Sequence, residues 1–462
     1  MKKIIYSLLT VALLGSVSSC NEDLLDPTLT TNKEKQEAIR TQEDVFGVLY
    51  GAYNRVSATA YYGRDYIIFG EVRSDNAMAN GNSGRFLTPA TMDMGNSDAY
   101  ARDSWDIMYK VIANANIIIE QDAASLDGDL EEIRHMQGQA YALRAMAHFD
   151  LMRLYGQLHI SGQGGMNSLA VPYMLKYRDG NLLPSRNTTA EVRAFIYDDL
   201  EMALDFMSED KNGGCTEFST YTVQAIRSRV GTYFGDWDVV IEASEAIIES
   251  GEFAVIDADN FAKSFSKDAK CAINKLFEIA ASDTDNNGIN GLHYIYNEGN
   301  YGDVNALDNV ANLFEAGDVR GSDEMLAVDG DDYLRNIGKY PEEDYTNNIA
   351  LFRYEEVVLN YAEALLATDP ATSLIYLNMI PAKRGATAYT EATLDNILLE
   401  RRKEFVFEGL RFYDLARTGR DIPAYGEGES HGGPEYGSSN YAFPIPISEI
   451  NANKNMTQNY GY

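Results

Sequence analysis

Two long amphipathic patterns, separated by a short acidic turn, constrain the fold of this chain more than any other feature of its sequence. Residues 103–120 repeat apolar side chains at helical spacing, and Asp103 or Ser104 is the predicted N-cap. Residues 130–155 keep the same period, and Gly156 is predicted to end that helix. Two long helices with so short a connection are expected to form a hairpin, which predicts a mostly helical protein.

Further helical patterns lie on either side of this hairpin. Residues 42–56 carry an apolar face, and residues 188–250 contain three amphipathic stretches with small residues such as Gly231 at close-packing positions. Residues 355–369 and 370–385 form another pair. These patterns resemble tetratricopeptide helix pairs, although the period is looser than a strict array, so we expect stacked, repeat-like helix pairs.

The rest of the chain is irregular in pattern. Residues 61–102, 251–350 and 420–442 are rich in Gly, Asn, Asp and Tyr, and two short runs, KLFEIAAS at 275–282 and LHYIYN at 292–297, have the composition of strands. Loops this long in a compact protein are usually functional or disordered, and their aromatic content argues against simple disorder. This composition favours functional loops over disordered ones.

The N-terminal sequence has the features of an export signal. Lys2 and Lys3 precede an apolar run over 4–17, which is shorter than the ~20 residues that a membrane-spanning helix needs. Small residues then lead to Cys20, as in a bacterial lipoprotein signal, so we predict removal of residues 1–19 and lipidation of the thiol. The alternative is an ordinary signal peptide with an incidental cysteine.

The charge of the chain excludes some classes of partner. The net charge is −32, and removal of the leader deletes two lysines and no acid, which makes the mature chain still more negative. Nucleic acid requires a basic footprint, so nucleic-acid binding is excluded. Charge alone would not hold the chain on anionic lipid either, which favours a covalent lipid as the membrane tether.

Length, cysteine and tyrosine content leave several alternatives open. At ~150 residues per domain the chain has room for two or three domains, although one large fold is also possible. Cys215 and Cys271 either pair or stay free. The 31 tyrosines suit a surface that binds polar ligands such as sugars, whereas packing between helices would account for most of them.

Five ordered motifs together resemble the SusD/RagB family, the surface glycan-binding lipoproteins of Bacteroidetes. The motifs are DSWDIMYKVIANANIIIE (103–120), GQAYALRAMAHFDLMRLYG (138–156), LFRYEEVVLNYAEAL (351–365), LLERRKEFVFEGLRFYDLARTG (398–419) and FPIPISEINANKNMTQNYGY (443–462). With the lipoprotein signal, the resemblance extends from Cys20 to the last residue. The departure is mild: IPAKRGA at 380–386 stands where the family often has a different basic turn.

The resemblance implies both an architecture and a role. It implies a single unit over 20–462, with a helical scaffold at about 40–57, 103–250 and 351–419 and a ligand face on the irregular segments. It implies display on the outer face of the cell, capture of a glycan, delivery to a SusC-like TonB-dependent outer-membrane transporter, and no catalysis. A surface glycan hydrolase and a purely structural helical scaffold are the alternatives.

A dense set of charges in the fourth motif could be mistaken for a catalytic site. We interpret these charges as ion pairs between packed helices, and the same holds for Arg144, Asp150 and Arg153. The residues are Glu400, Arg401, Arg402, Glu404, Glu408, Arg411 and Asp414. A glycosidase needs two carboxylates at a set separation, but with 70 acids close pairs arise by chance, so no catalytic residue is predicted.

A sugar site needs flat aromatic faces and planar polar groups, and the irregular segments supply both. On a strand, Tyr294 and Tyr296 would share one face. The alternative for each candidate is a packing or turn residue. The predicted ligand-binding residues are Arg73, Asp75, Asn76, Arg85, Tyr100, Tyr294, Tyr296 and Tyr301.

One segment matches the first half of a calcium loop. Asp283, Asp285 and Asn287 alternate before Gly288, as oxygen ligands do in such loops. The twelfth position holds Tyr294 where a bidentate Glu is expected. A solvated turn is therefore the default interpretation, calcium is the alternative, and no other cofactor is predicted.

Overall fold

The computed structural model describes residues 39–178, 182–297, 301–424 and 430–462. The predicted leader at 1–19 and the predicted lipidation site Cys20 lie outside the described residues. Among the helices that are described, none is long and apolar enough to cross a membrane.

The described chain is mostly helical, as predicted. Its α-helices, numbered in chain order, are α1 Gln42–Val56, α2 Asp65–Val72, α3 Leu87–Thr91, α4 Ala99–Ile119, α5 Leu130–Tyr155, α6 Thr189–Phe206, α7 Thr220–Phe234, α8 Trp237–Ser250, α9 Ala258–Phe261, α10 Leu292–Tyr296, α11 Tyr354–Leu365, α12 Pro370–Ala382, α13 Leu394–Phe405, α14 Arg411–Arg417 and α15 Ile447–Ala452. Short 3-10 turns connect several of them.

The predicted hairpin of α4 and α5 is present, but the predicted start of α4 is wrong. The N-cap is Asp98, whose carboxylate accepts a hydrogen bond from the Tyr100 backbone N–H at 2.8 Å. Asp103 and Ser104 lie one turn inside the helix, because the residues before them continue the helical pattern. Gly156 follows the last residue of α5, as predicted.

Helix α5 forms the centre of the helical body. Almost every residue from Ile133 to Tyr155 is buried, and the helix packs against α4, α6 and α1. A helix that is buried on all sides belongs to the interior of a protein. Gly138 permits the contact with the C-terminal end of α6, since a Cβ at this position would lie 2.4 Å from Met207 Cγ.

The predicted repeat-like helix pairs are also present. Helices α7 and α8 form one pair and α11 and α12 another, and α11 packs against both α7 and α8. Gly231 allows the close approach of the first pair, because a Cβ there would lie 2.7 Å from Val240 Cγ2. Stacking of this kind buries one apolar face of each helix against its neighbour.

Two small antiparallel sheets carry the irregular segments. One sheet has the order β1-β3-β5-β4 and the other pairs β2 with β6. The strands are β1 Ala77–Ala79, β2 Lys275–Ile279, β3 Val304–Ala306, β4 Leu326–Val328, β5 Leu334–Asn336 and β6 Ile349–Arg353. Strand β2 confirms the prediction for KLFEIAAS. Pairing of β1 with β3 brings two segments that are distant in sequence to one edge.

The strand predicted at LHYIYN is wrong, because this run forms the short helix α10. Leu292, Ile295 and Tyr296 are buried, and their spacing of three and four residues is that of a helix face. Tyr294 therefore points away from Tyr296, and the two rings do not share a face. A run of five residues is too short for its period to be read from sequence alone.

The segment from 61 to 102 is less irregular than predicted. All eight residues of α2 are buried. The helix packs so closely on the 405–410 turn that a Cβ at Gly70 would lie 2.0 Å from the carbonyl oxygen of Gly409. Residues 65–72 therefore belong to the core and not to an irregular surface segment.

Cys215 and Cys271 form a disulfide, which settles the alternative that the sequence left open. Their Cα atoms lie 5.4 Å apart. The bond joins the chain before α7 to the chain before β2 and therefore encloses the whole α7–α8 pair.

Candidate functional site

The charges of the fourth motif form a buried network, which supports their interpretation as structural residues. The carboxylate of Glu404 accepts hydrogen bonds from Arg353 Nη1 and from Arg384 Nη2, both at 2.9 Å. Arg320 Nη1 lies 3.3 Å from the same carboxylate. Burial alone would raise the pKa of Glu404, but Arg384 and Arg353 outweigh it and hold that pKa below its usual range.

The remaining charges of this motif have partners of the same kind. Arg320 pairs with Glu400, Arg401 with Asp414, Arg402 and Arg411 with Asp75, and Arg353 with Glu408. The predicted structural roles of Arg144, Asp150 and Arg153 agree with the structure, because Arg144 pairs with Asp199 and Arg153 with Asp150. Paired guanidinium and carboxylate groups in the interior fix the packing of helices.

Arg73 is a core residue, so its predicted role in ligand binding is wrong. Its side chain is 1% exposed, and Nη2 donates to the backbone carbonyls of Asn440 and Tyr441, both at 3.0 Å. The guanidinium carbon lies 3.8 Å from the ring centroid of Phe412. Arg73 thus holds the C-terminal segment against the core and is not accessible to a ligand.

Asp75 and Asn76 are buried for the same reason, and the prediction for them is also wrong. Asp75 accepts hydrogen bonds from Arg411 Nε at 2.7 Å and is paired with Arg402. Asn76 donates to Glu71 Oε2 at 2.9 Å and accepts from Arg402 Nε at 2.8 Å. Their polar atoms are used to join α2 to α13 and α14.

Tyr296 is likewise a packing residue and not a ligand residue. It is fully buried, its ring is nearly parallel to that of Tyr340 with centroids 5.9 Å apart, and it meets Phe407 at 5.4 Å. Its hydroxyl oxygen has no hydrogen-bond partner in the part of the chain that the structure describes.

Two of the predicted residues meet at the surface. The Arg85 guanidinium carbon lies 3.7 Å from the ring centroid of Tyr301, and Arg85 Nη1 donates to Ser83 Oγ at 2.6 Å. We call Asn82, Ser83, Arg85, Tyr301 and Asp303 the arginine–tyrosine platform. Asn82 and Ser83 are exposed, and Arg85 and Tyr301 are half-buried.

The platform is held together by bonds between its two segments. Asn82 Nδ2 donates to the Tyr301 carbonyl at 2.6 Å, and the Ser83 N–H donates to Asp303 Oδ1 at 2.9 Å. Asn80 Nδ2 donates to the Gly302 carbonyl at 2.6 Å. These bonds continue the β1–β3 pairing into the loops, so the fold fixes the relative position of Arg85 and Tyr301.

Tyr100 supports the platform from below. Its hydroxyl accepts a hydrogen bond from the Phe86 N–H at 3.0 Å, and its ring stacks on that of Phe86 with centroids 5.1 Å apart. Phe86 is held at φ +60°, a strained conformation for a bulky residue. Such strain persists only where the surroundings impose it and is common next to ligand sites. The structure thus places Tyr100 behind the surface that Arg85 and Tyr301 present.

Asp303 adds an unusual acceptor to the platform. The residue is fully buried, yet its Oδ2 has no hydrogen-bond partner among the residues described, and the nearest cation is Arg85 Nη1 at 3.8 Å. A buried carboxylate oxygen without a donor is costly. Because this oxygen is shielded from solvent, Asp303 contributes to the platform by accepting from the Ser83 N–H and by lying close to Arg85.

A second concave surface lies beside α10, and we call it the tyrosine cleft. It is lined by Ser57, Asp285, Asn287, Tyr294 and Tyr345, and its cavity volume is about 50 Å³. The rings of Tyr294 and Tyr345 have centroids 5.4 Å apart at an angle of 41°. Tyr345 is 39% exposed and is held at φ +73°, a second strained aromatic residue beside a candidate surface.

The calcium half-motif forms part of this cleft. Asn287 Nδ2 donates to the Ser57 carbonyl at 2.9 Å, and the Asp285 N–H donates to Ser282 Oγ at 3.1 Å. Asp283 is exposed. The geometry is that of a hydrogen-bonded turn against the end of α1, and calcium binding stays a prediction.

The platform and the cleft are neighbours. The Gly302 N–H donates to the Tyr294 carbonyl at 2.9 Å, which joins one chain segment of the platform to α10. Gly63 lines the cleft, and the Arg64 guanidinium next to it lies 5.5 Å from the Phe86 ring centroid. Together they offer aromatic faces beside carboxylate and amide groups, a composition that suits a polar ligand with flat apolar faces.

Two family models match the chain on either side of these surfaces. The model described as the SusD family matches residues 334–462, and the model described as "Starch-binding associating with outer membrane" matches residues 25–231. The chain belongs to the SusD/RagB family. The first match contains Glu404, Arg353 and Arg384 of the buried ion-pair network, and the second contains Arg85 and Tyr100. All five SusD/RagB motifs read from the sequence lie within these two regions.

Known proteins agree with this assignment along most of the chain. SusD-like protein P38 of Formosa agariphila is 26% identical over 92% of this chain and 93% of its own length. The starch-binding protein SusD of Bacteroides thetaiotaomicron is 34% identical over 27% of this chain and 22% of its own. A solved SusD superfamily protein from Bacteroides vulgatus superposes with a TM-score of 0.84 at 26% identity, covering 92% of this chain and all of that one.

Sequence reasoning missed two residues that the structure places at these surfaces. The sequence could have indicated Asp303, because it follows Tyr301 and a glycine in a loop that was already predicted to contact the ligand. Tyr345 stands among acids and asparagines that favour a turn, and its positive φ and its proximity to Tyr294 depend on long-range packing. No local pattern signals either property.

Proposed function

We propose that this SusD/RagB protein is a cell-surface lipoprotein that binds a glycan on the arginine–tyrosine platform, with the tyrosine cleft beside it. The observation that carries the proposal is the half-buried stack of Arg85 on Tyr301 at the surface, beside exposed Asn82 and Ser83.

Each part of the platform suits a carbohydrate. A tyrosine ring is a flat apolar surface on which the C–H face of a pyranose packs, and its hydroxyl can exchange hydrogen bonds. Arg85 and Asn82 offer planar polar groups, and Ser83 offers an exposed hydroxyl, which together discriminate the positions of sugar hydroxyls. Because the backbone bonds between the two segments already fix these groups, binding costs little reordering of the protein.

The comparisons support the same class of ligand. One family model that matches this chain is described as starch-binding, and one relative is named a starch-binding protein. The same model is described as associating with the outer membrane. We extend this to lipid attachment through Cys20, exposure to the cell exterior, and delivery of the captured glycan to a SusC-like TonB-dependent transporter.

A glycan array followed by titration calorimetry tests the proposal. We expect the purified chain to retain at least one oligosaccharide class, and Arg85→Ala and Tyr301→Ala each to weaken its binding about tenfold or more. Arg102→Ala is the matched control, since Arg102 is an exposed arginine paired only with its neighbour Asp103. Full affinity in both platform variants would place the glycan elsewhere.

The same incubation tests the absence of catalysis. We expect the recovered oligosaccharide to be intact, with no new reducing ends after prolonged contact at high protein concentration. Release of reducing ends that depends on this protein would favour the alternative, a surface glycan hydrolase.

Anchoring and partnership need cell-based experiments. Cys20→Ala is expected to leave the membrane fraction and appear in the soluble fraction, whereas Cys215→Ala, which affects only the disulfide, is expected to stay with the membrane. Affinity purification of the wild-type chain from outer membranes is expected to recover a TonB-dependent transporter. Recovery of the lipid-free chain from the cytosol would contradict the proposed location.

A further inference from the structure

Helix α1 exposes a pair of aromatic rings. Phe46 and Tyr50 are 49% and 57% exposed, and their rings stack with centroids 6.1 Å apart at an angle of 27°. The opposite face of the same helix is buried through Val45, Leu49 and other apolar residues. Phe46 and Tyr50 therefore contribute nothing to the core, and an ordered aromatic pair at the surface is typical of an interaction site.

The pair continues along the helix toward the tyrosine cleft. Phe46, Tyr50 and Asn54 are spaced by four residues and so occupy one face of α1, and we call them the α1 stripe. At the end of this face, Asn54 Nδ2 lies 3.5 Å from Asp285 Oδ1, and the Ser57 carbonyl accepts from Asn287. From Phe46 to the cleft wall at Ser57 the helix rises about 16 Å.

None of the residues that the structure describes covers the stripe, since Phe46 and Tyr50 are about half exposed. Gly47, which follows Phe46, is also exposed, and a Cβ built on it meets none of the described atoms within 4 Å. Along this path the groups are, in order, the rings of Phe46 and Tyr50, the amide of Asn54, the carboxylate of Asp285, the amide of Asn287, and the rings of Tyr294 and Tyr345. Flat apolar rings next to planar polar groups suit a chain of sugar rings, which presents apolar C–H faces together with hydroxyls, better than they suit an apolar helix, which presents no hydroxyls to the amides and the carboxylate.

We propose that the tyrosine cleft and the α1 stripe together extend the arginine–tyrosine platform into an elongated path along which a long oligosaccharide binds. The inference rests on the proposed function and extends it: the protein selects glycans long enough to reach from the cleft along α1. Each ring of the stripe adds a stacking contact for a further sugar unit, so affinity rises with chain length.

The double variant Phe46→Ala/Tyr50→Ala tests this path. Both side chains are half exposed, so the helix is expected to stay folded, which circular dichroism and the melting temperature verify. Trisaccharides and heptasaccharides of the malto-, xylo- and manno-oligosaccharide series are the probes. We expect the wild type to bind its preferred heptasaccharide more tightly than the trisaccharide, and the variant to lose about tenfold in affinity for the heptasaccharide only.

Matched controls separate the stripe from the platform and from a general surface effect. Tyr460→Ala removes another exposed tyrosine, 61% accessible, from the C-terminal segment and is expected to bind every probe as the wild type does. Arg85→Ala is expected to weaken the trisaccharide and the heptasaccharide alike. A separate arm measures binding of the double variant to the outer-membrane transporter that copurifies with the wild type.

The outcomes distinguish the inference from the function on which it rests. Unchanged heptasaccharide affinity in the double variant, or an equal loss for both lengths, overturns the elongated path and leaves glycan binding intact. Loss of transporter binding with unchanged sugar binding also overturns it, because the stripe would then be a protein contact. Failure of the wild type to bind any glycan overturns the proposed function itself.

Discussion

Arg73 and Arg85 are close in sequence but differ in burial, and this difference distinguishes a structural arginine from one that we propose binds the ligand. Arg73 and Arg85 both place a guanidinium within 4 Å of an aromatic ring centroid. Arg73 is in the core and donates to two backbone carbonyls, whereas Arg85 lies at the surface beside exposed Asn82 and Ser83. The same pair of residue types therefore builds the fold in one place and offers a binding surface in the other.

The difference also explains where the family resemblance is strongest. The buried arginines and carboxylates must satisfy fixed partners on other helices, and a change in one of them leaves a partner charge unpaired in the interior. The platform has no such fixed partners on other helices. The five sequence motifs consequently report on packing, and the loops that we propose to bind the glycan lie outside those motifs.

The largest effect is expected from the centre of the buried network. Glu404→Gln keeps the shape of the side chain but removes the carboxylate that Arg320, Arg353 and Arg384 share and turns an amide N–H toward their donors, which should cost roughly 3–5 kcal/mol of unfolding free energy. Chemical denaturation measures the loss. Asp257→Asn breaks only the exposed pair with Lys383 and should cost under about 1 kcal/mol. Equal costs for the two variants would show that the network is not structural.

The next effect compares the two arginines directly. Arg73→Ala removes two hydrogen bonds and a packed side chain from the core and should destabilise the fold by roughly 2–4 kcal/mol, with unchanged glycan affinity in the folded fraction. Arg85→Ala should alter stability by less than about 1 kcal/mol and lose glycan affinity. Chemical denaturation measures the stability of both variants, and titration calorimetry measures their affinity for the glycan. A loss of glycan affinity in folded Arg73→Ala would contradict the purely structural role of Arg73.

A smaller effect comes from pH, through a histidine in the core. His148 is fully buried, its Nδ1–H donates to the Arg144 carbonyl, and its Nε2 accepts from the Met174 N–H. Burial lowers the pKa of this imidazole well below its usual 6.5. The unfolded chain therefore takes up a proton first as pH falls below 6.5, and stability declines by up to about 1.4 kcal/mol per pH unit.

The variant His148→Gln isolates this contribution. We expect the unfolding free energy of the variant to fall less steeply between pH 6.5 and pH 5 than that of the wild type, while the two curves run parallel above pH 7. Parallel curves over the whole range would mean that His148 carries a proton in the folded protein.

The smallest effect is expected at Tyr296, which the sequence wrongly assigned to the ligand face. Its hydroxyl has no partner among the described residues, so Tyr296→Phe should change stability by no more than about 0.5 kcal/mol and leave glycan binding unaltered. Tyr294→Phe is the companion variant at the cleft, where the hydroxyl donates to the Glu343 carbonyl at 2.5 Å. A binding loss in Tyr296→Phe would reverse our assignment of the two tyrosines.

Most of the helical scaffold could be predicted because long periodic segments carry their own signal. The bounds of α1 and α5 follow from apolar spacing and from the residues that cap them. Helix α2 escaped prediction because it is apolar nearly all round and only eight residues long, so it lacks an amphipathic pattern. The run that forms α10 is shorter still, and a strand and a helix turn are equally compatible with it.

The site could be predicted only in part, for a different physical reason. Arg85, Tyr100 and Tyr301 were found by residue type, but their assembly depends on the pairing of β1 with β3, which joins segments more than 200 residues apart. Arg73 and Tyr296 have the same residue types, and only their burial removes them from the ligand face. Composition identifies candidates, and long-range packing decides among them.

The disulfide between Cys215 and Cys271 gives the α7–α8 region tolerance of proteolysis. A protease at the cell exterior that cut the connection after α8, anywhere between residues 251 and 270, would produce two fragments still joined by a covalent bond. The cleaved helix pair would stay in place and could close again on its neighbours. Only a reducing environment would let the two pieces separate.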